Sequence, residues 1–299
     1  MRKKGMKYVY YPGCSLEGTA REYDLATRAM LQAVGVELIE IENWTCCGAS
    51  AAEPISRLLS LALPARNIAL AEAHTDIDDI LVPCSACYLN LKKVTETVKK
   101  EPATLSTLNG VLAEEGLELK RPMNVRHLLD VLANDLGARP IGDRLQTPMS
   151  GFSIAPYYGC QCLRPYADFD DPEAPTSMEA LIEATGATVF DWEMGGRCCG
   201  ASHMNTKMDV ALELVGAILE AAHGADAIVT VCPMCQMNLE AYQKKISGMH
   251  RKNLQVTILY LPQLLGLAMG LQDRSLGLGL NLAVTGGFNS KWHRAVEAA

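Results

Sequence analysis

The cysteines are the residues of this chain whose number and spacing point to chemistry. Eleven of the 299 residues are cysteine. The segment TCCGAS at residues 45–50 returns almost unchanged as RCCGAS at residues 197–202. A trans peptide holds neighbouring Cα atoms about 3.8 Å apart, so the two thiols of each doublet would strain to close on one small ion. They reach different metals of one cluster more readily.

Ten of the cysteines form two sets of five, which read C-x31-CC-x36-C-x2-C and C-x37-CC-x32-C-x2-C. A structural zinc site takes four ligands, usually as two close pairs, whereas each set offers five thiols with two adjacent. Gly48 and Gly200 follow the doublets and let the backbone approach a bulky inorganic ligand. Iron–sulfur clusters are the favoured interpretation, and zinc, thiol redox chemistry or simple packing stay open on spacing alone. The first set is Cys14, Cys46, Cys47, Cys84 and Cys87, and the second is Cys160, Cys198, Cys199, Cys232 and Cys235.

The repeat extends beyond the cysteines and keeps its order along the chain. YYPGC (10–14) corresponds to YYGC (157–160), and PCSACYLNLK (83–92) corresponds to VCPMCQMNLE (231–240). The segment 135–150, rich in Gly, Pro and polar residues, is typical of a linker. The sequence therefore predicts two copies of one domain.

Short β-rich runs alternate with helical periods in both copies. Strands are predicted at 8–12, 36–42 and 79–83, and at 152–158, 188–193 and 227–231. Helices are predicted at 24–35, 55–74 and 88–100, and at 176–186, 207–224 and 236–246, with a kink or break at Pro64. This order predicts an α/β fold in which each copy is a small parallel sheet covered by helices. Each cysteine of the two sets follows a predicted strand, and parallel sheets bind ligands outside the carboxyl ends of their strands, so each set is expected at one sheet edge.

The composition narrows the class of protein. A net charge of −7 disfavours nucleic acid and anionic membranes as main partners. The basic N-terminus is followed by an apolar run too short for a signal peptide, and the apolar tract 256–271 is too short and too interrupted to cross a membrane. We therefore expect a cytoplasmic chain without a membrane span, whose cysteines bind metal or do redox chemistry rather than form disulfides.

The repeated pattern, with glycine after each doublet, resembles the CCG, or cysteine-rich, domain of the B-type subunit of heterodisulfide reductase. YYGCQCLRP (157–165) together with DPEAPTSMEALIEATGA (171–187) resembles that B-type subunit in particular. The resemblance implies two CCG domains, 1–140 and 151–272, followed by a C-terminal tail, 273–299. It also implies that each five-cysteine set holds a noncubane 4Fe-4S cluster. The gap of 32 residues in the second copy is shorter than in the family pattern, which implies a trimmed loop.

The same resemblance implies a function in which a disulfide or related sulfur substrate is reduced between the two clusters. The chain shows no flavin or nucleotide motif of its own. Electrons would come from an Fe-S protein that resembles the C-type subunit of heterodisulfide reductase, alongside a flavoprotein that resembles its A-type subunit. The alternative is an electron-transfer module in a bifurcating or sulfur-oxidising complex, without its own substrate. The catalytic groups would be the clusters themselves.

Several residues near the cysteines have two interpretations each. Cys160 is preferred over Cys162 as first ligand of the second set, because YGC aligns with PGC. Arg197 is expected to be solvated rather than to raise the potential of a cluster. His203 is expected to be a polar residue at a helix entry rather than a proton donor. Trp44 is expected to pack beside the doublet. A last group is expected to form a solvated helix face, with docking of an acidic partner as the alternative: Lys92, Lys93, Lys99 and Lys100.

Overall fold

Each half of the chain folds around a four-stranded sheet. The computed structural model of the protein describes residues 5–121 and 123–298. The first copy contains β1 (Lys7–Tyr10), β2 (Glu37–Glu40), β3 (Asp79–Val82) and β4 (Asn124–His127). The second contains β5 (Ser153–Tyr157), β6 (Thr188–Val189), β7 (Ala227–Thr230) and β8 (Thr257–Tyr260).

The two sheets have the same topology. Their strand orders are β2-β1-β3-β4 and β6-β5-β7-β8, and every pairing is parallel. The central strands DILV and AIVT are largely buried, as strands with helices on both faces must be. The predicted α/β class with two repeated, helix-covered parallel sheets is confirmed.

The fourth strand of each sheet is absent from the sequence prediction. The β4 segment NVRH is short and polar, and the β8 segment TILY lies inside an apolar tract without alternation. Both strands are nevertheless paired along their whole length, β4 to β3 and β8 to β7. The missed strands carry His127 and Tyr260 at their carboxyl ends, next to the cysteines.

Fourteen α-helices connect and cover the sheets of the described residues. In the first copy they are α1 (Cys14–Glu17), α2 (Arg21–Ala33), α3 (Arg57–Ala71), α4 (Ser85–Lys100), α5 (Pro102–Leu112), α6 (Leu128–Asp130) and α7 (Arg139–Gly142). In the second they are α8 (Glu179–Glu183), α9 (Met208–Ala221), α10 (Pro233–Ala241), α11 (Gln243–His250), α12 (Leu261–Ala268), α13 (Asp273–Leu276) and α14 (Gly286–Ala298). Short 3-10 turns lie at 113–115, 201–203 and 278–280, and a π-helical stretch at 131–136.

Two helix predictions differ from the structure. Of the two outcomes predicted at Pro64, a kink or a break, the break does not occur, because Pro64 lies inside a continuous α3. It is buried together with Leu61 and Ala65, and this burial offsets the backbone hydrogen bond that proline removes. The single helix predicted at 236–246 is divided at Tyr242 into α10 and α11.

The C-terminal segment, which the sequence predicts to be a tail, is folded. Residues 273–298 form α13, the last 3-10 turn and α14. Phe288 and Trp292 are buried in the main core, and Phe288 contacts Phe152 edge-on with ring centroids 5.4 Å apart. These apolar side chains tie the segment to the second copy. The domain boundaries at 140, 151 and 272 stay predictions.

The two copies pack through α2 of the first and α12 and α13 of the second. Leu31, Leu264 and Leu276 belong to one continuous core that reaches both copies. None of the helices within 5–121 and 123–298 combines the length and apolar character that crossing a membrane requires. The packing brings the carboxyl edges of the two sheets toward each other.

Candidate metal centre

One cavity is shared by both copies, and its volume is about 180 Å³. All ten predicted site residues line it. The other lining residues among those described carry no charge: Ser15, Ala49, Ser50, Ser85, Ala86, Tyr158, Gln161, Ala201, Ser202 and Met234. The structure thus brings the two five-thiol sets together at a single site.

The strand ends position the cysteines as the sequence predicts. Cys14 follows β1 and begins α1, and the first doublet follows β2. Cys84 and Cys232 are the residues that cap α4 and α10 at their N-termini. The positive end of a helix dipole stabilises a thiolate at such a position.

The thiols of each set lie close to one another. Sγ–Sγ distances are 3.6 Å between Cys14 and Cys46 and 3.4 Å between Cys47 and Cys87. In the second set Cys199 and Cys235 are 3.5 Å apart. Within the described ranges, no group of three or more potential ligands meets at a position for a single ion. The sulfurs instead line the walls of the cavity, an arrangement suited to a polynuclear group.

Hydrogen bonds between the crowded thiols favour thiolate at some members of each set. Hydrogen bonds from Cys46 and then from Cys87 lower the pKa of Cys47 to about 4. In the second set, a hydrogen bond from Cys160 lowers the pKa of Cys198 to about 5. In return, the same hydrogen bonds raise the pKa of their partners Cys46, Cys87 and Cys160. Each set therefore contains thiolate, the form that binds metal, beside thiol.

Glycine is required beside both sets. Gly13 has φ +76°, and a Cβ built there would lie 2.7 Å from Sγ of Cys87. Gly159 has φ +71°, and its Cβ would lie 3.0 Å from Sγ of Cys235. A side chain at either position would require a strained backbone and a shift of the neighbouring sulfur. The donor set and its tight surroundings fit an iron–sulfur group.

A tyrosine anchors the residue before each doublet. The hydroxyl of Tyr11 donates a 2.7 Å hydrogen bond to the carbonyl of Thr45. The hydroxyl of Tyr157 donates a bond of the same length to the carbonyl of Arg197. Both tyrosines are buried, so each doublet is tied to the core by a hydrogen bond from a buried side chain.

An asparagine anchors each doublet from the other side. Nδ2 of Asn90 donates to the carbonyl of Cys47 at 3.0 Å, and Nδ2 of Asn238 donates to that of Cys199 at 3.2 Å. The sequence analysis assigned no role to these residues or to the tyrosines. The signal was available, because both asparagines lie at the same place in the repeated segments YLNLK and QMNLE.

The structure gives the positions of the residues for which the sequence allowed two interpretations. Cys160 lines the cavity, whereas Cys162 is fully buried outside it and donates from Sγ to the carbonyl of Tyr158 at 3.2 Å. Arg197 and His203 are exposed. Trp44 contacts Tyr11 edge-on, with centroids 5.4 Å apart. Three of the four lysines form ion pairs with carboxylates of this chain: Lys92, Lys93 and Lys99.

Residues 8–92 and 154–240 match the family described as CCG, the cysteine-rich domain. The chain belongs to the CCG family. Both matched segments contain a complete five-cysteine set, so the predicted duplication is confirmed.

Relatives of this CCG protein cover nearly its whole length. It is 33% identical to the 8-methylmenaquinol:fumarate reductase membrane anchor subunit of Wolinella succinogenes, over 92% of this chain and 96% of the relative. It is 29% identical to the B-type subunit of the ferredoxin:CoB-CoM heterodisulfide reductase of Methanosarcina mazei, over 92% and 93%. A protein of Archaeoglobus profundus that is named as similar to the same B-type subunit is 27% identical over 89% and 91%. The predicted similarity to the B-type subunit of heterodisulfide reductase is confirmed, and with it the class of iron–sulfur oxidoreductase components.

A solved structure shares the fold. A hypothetical protein from Helicobacter pylori superposes on 93% of the CCG chain with a TM-score of 0.72 and 17% identity. The CCG chain spans about half of that protein, 52% of its length. At this identity the likeness concerns the fold alone.

Proposed function

We propose that this protein is the iron–sulfur subunit of a heterodisulfide-reductase-like complex and that it reduces a disulfide or related sulfur substrate. The observation that carries the proposal is the single cavity lined by both five-thiol sets. Each set would hold one noncubane 4Fe-4S cluster through its five cysteines, as in the family that the sequence resembles. A substrate in the cavity would then contact both clusters.

When bound, two such clusters supply two electrons and two iron sites for sulfur, which is what the cleavage of one S–S bond requires. The overall step consumes the disulfide, two electrons and two protons, breaks the S–S bond and yields two thiols. No side chain of the cavity has to act as a nucleophile.

The chain's own residues hold the cysteine doublets in position. Tyr11 and Tyr157 fix the peptide before each doublet, and the asparagines Asn90 and Asn238 fix the doublet carbonyls. Apart from the cysteines, the described residues that line the cavity carry no charge, which favours entry of the apolar S–S portion of a substrate over a charged group, because a buried charge needs a partner. Charged ends of a substrate would stay outside.

The electrons would come from an Fe-S protein that resembles the C-type subunit of heterodisulfide reductase, with a flavoprotein that resembles its A-type subunit in the same complex. The relatives named after the B-type subunit support this assembly. A reducing compartment such as the cytoplasm would keep all eleven cysteines unpaired.

A second candidate function is electron transfer without a sulfur substrate. The relative from Wolinella succinogenes favours it, because that protein is named as a subunit of a quinol:fumarate reductase. The clusters held by the same ten cysteines would then pass electrons between a quinol-linked partner and another protein of the complex.

Anaerobic analysis of the purified chain tests the cofactor. About eight iron and eight sulfide per chain would support two four-iron clusters, whereas stoichiometric zinc or a metal-free protein would overturn the proposal. The matched control is the double variant Cys47→Ser, Cys199→Ser, which we expect to lose most of the iron.

Titration of the loaded chain with candidate ligands separates the two functions. Growth of a paramagnetic signal on adding a thiol or disulfide, without a response to quinone, supports sulfur chemistry. A response to quinone alone supports the second candidate.

A further inference from the structure

The hydroxyl of Ser85 lies at the boundary between the two copies. Ser85 follows Cys84, is 1% exposed and lines the shared cavity. Its Oγ is 3.1 Å from Nε2 of His127 in its own copy and 3.4 Å from the carbonyl of Val231 in the other. It also lies beside two sulfurs of the second copy, those of Cys162 and Cys232.

The backbone fixes which nitrogen of His127 carries the proton. The N–H of Leu129 donates to Nδ1 at 3.2 Å, so Nδ1 must be the unprotonated acceptor. Burial lowers the pKa of His127 to about 3, so the ring is neutral at neutral pH. Its one proton is therefore on Nε2, the nitrogen that faces Ser85.

Because Nε2 carries a proton, it cannot accept a hydrogen bond from Ser85. The Ser85 hydroxyl accepts from His127 and must donate elsewhere. The Val231 carbonyl lies 3.4 Å away, beyond the usual range of an O–H···O hydrogen bond, and is a weak acceptor for this hydroxyl. The remaining acceptors are the two sulfurs of the second copy.

Charge decides between these sulfurs. Cys162 lies outside the cavity lining, and its Sγ donates its own proton to the carbonyl of Tyr158 at 3.2 Å. Cys232, as a metal ligand, carries negative charge, and an anionic acceptor forms the stronger hydrogen bond. The hydroxyl is thus best satisfied by Cys232.

The second copy cannot return this hydrogen bond. Pro233 stands where Ser85 stands in the repeat, and Tyr260 ends β8 where His127 ends β4. Proline has no side-chain donor. The contact therefore runs in one direction, from the first copy to the second set of cysteines.

We propose that Ser85, oriented by His127, donates a hydrogen bond across the copy boundary to Sγ of Cys232 and raises the reduction potential of the cluster held by the second set. The inference rests on the proposed iron–sulfur function. Hydrogen bonds to ligand sulfurs stabilise the more negative, reduced cluster and so raise its potential. The second set consequently depends on the first copy for its redox properties, and Ser85 and His127 are positioning residues.

The test is a potentiometric titration of the full, anaerobically loaded chain, followed by electron paramagnetic resonance. A background in which Cys14 and Cys47 are replaced by alanine leaves the second set as the only intact one. In this background we expect Ser85→Ala to lower the midpoint potential of the remaining signal. The expected shift is about 59 mV, which corresponds to a tenfold change in the equilibrium constant of a one-electron reduction. Ser85→Thr, which keeps the hydroxyl, should restore the midpoint.

Control variants isolate the hydroxyl and its acceptor. Ser60→Ala removes a buried hydroxyl of α3 that donates to the carbonyl of Arg57, outside the cavity, and should leave the midpoint unchanged. In a Cys162→Ala background the effect of Ser85→Ala should persist, and its loss there would overturn Cys232 as the acceptor. His127→Leu should shift the midpoint in the same direction as Ser85→Ala, and an unchanged midpoint would overturn the orienting role of His127.

The outcomes distinguish this inference from the proposed function. A wild-type chain that takes up no iron contradicts the function. A chain that takes up iron but keeps one midpoint in wild type and Ser85→Ala contradicts the inference alone. Ser85→Gly removes the hydroxyl in a second way, should the alanine variant fail to take up iron.

Discussion

Tyr23 of the first copy stacks on Tyr260 of the second, with ring centroids 4.0 Å apart and planes 2° from parallel. Both side chains are fully buried. The hydroxyl of Tyr23 donates to the carbonyls of Pro83 and Val231, each 3.1 Å away, and these carbonyls directly precede Cys84 and Cys232. One side chain therefore links the equivalent strand ends of the two copies.

The hydroxyls of this stacked pair differ, which gives a matched prediction. Tyr23→Phe leaves two buried carbonyls without that donor and should lower the free energy of unfolding by about 1–3 kcal/mol. Tyr260 has a buried hydroxyl with no hydrogen-bond partner in the described part of the chain, so Tyr260→Phe should be neutral or stabilising. Denaturant unfolding under anaerobic conditions measures both. Equal destabilisation by the two variants would contradict the role of the Tyr23 bridge.

Gly13→Ala should cost the first five-cysteine set its iron and spare the second set. The new Cβ would lie 2.7 Å from Sγ of Cys87 at a positive φ, so the cysteine loop must shift. We expect iron to fall from about eight to about four per chain. Gly116→Ala is the matched control, because Gly116 has φ +70° but a Cβ there meets nothing within 4 Å. Retention of full iron in Gly13→Ala, or an equal loss in Gly116→Ala, would refute the steric argument.

The cysteine positions were predictable because strand ends were predictable. Short apolar runs mark β1, β3 and β7, and a residue after such a run must lie at the carboxyl edge of a parallel sheet. Nothing in the spacing of either repeat specifies how two sheets face each other. That orientation depends on contacts such as Tyr23 with Tyr260, whose side chains come from α2 and from a strand without its own pattern.

The residues that hold the cysteines were harder to predict than the cysteines themselves. His127 ends β4, whose sequence NVRH gives no strand signal, so its place beside Ser85 could not be foreseen. Asn90 lies in a repeated segment, but a polar residue on a helix has many possible partners. Its bond to the Cys47 carbonyl follows from how α4 packs against the doublet.

Glu240 should make stability depend on pH. Burial raises the pKa of this carboxyl to about 7, well above its ordinary value. The folded state then binds a proton more tightly than the unfolded state, so stability is highest below the unfolded pKa and falls as pH rises toward 7. The loss is about 2–3 kcal/mol. Glu240→Gln should abolish this part of the pH dependence and stabilise the protein at pH 8.

An exposed carboxyl of the same copy provides the comparison for Glu240. Glu213 lies on the solvent side of α9, and Glu213→Gln should leave the pH profile of unfolding as in wild type. A Glu240→Gln profile that falls as steeply between pH 5 and pH 8 as that of wild type would show that another group is responsible.

Cys160 and Cys162 provide the sharpest contrast within one loop. Cys160 lines the cavity, so Cys160→Ala should cost the second set its iron and leave about four iron per chain. Cys162 lies outside the cavity lining and is fully buried, so Cys162→Ala should keep about eight. Removing the buried sulfur should instead lower the free energy of unfolding by about 1 kcal/mol, the typical cost of a small core truncation. Iron analysis and denaturant unfolding of both variants give two independent readouts. The reverse pattern, with iron lost in Cys162→Ala and kept in Cys160→Ala, would reassign the first ligand, because the thiol that contacts the cluster must be the one whose removal releases the metal.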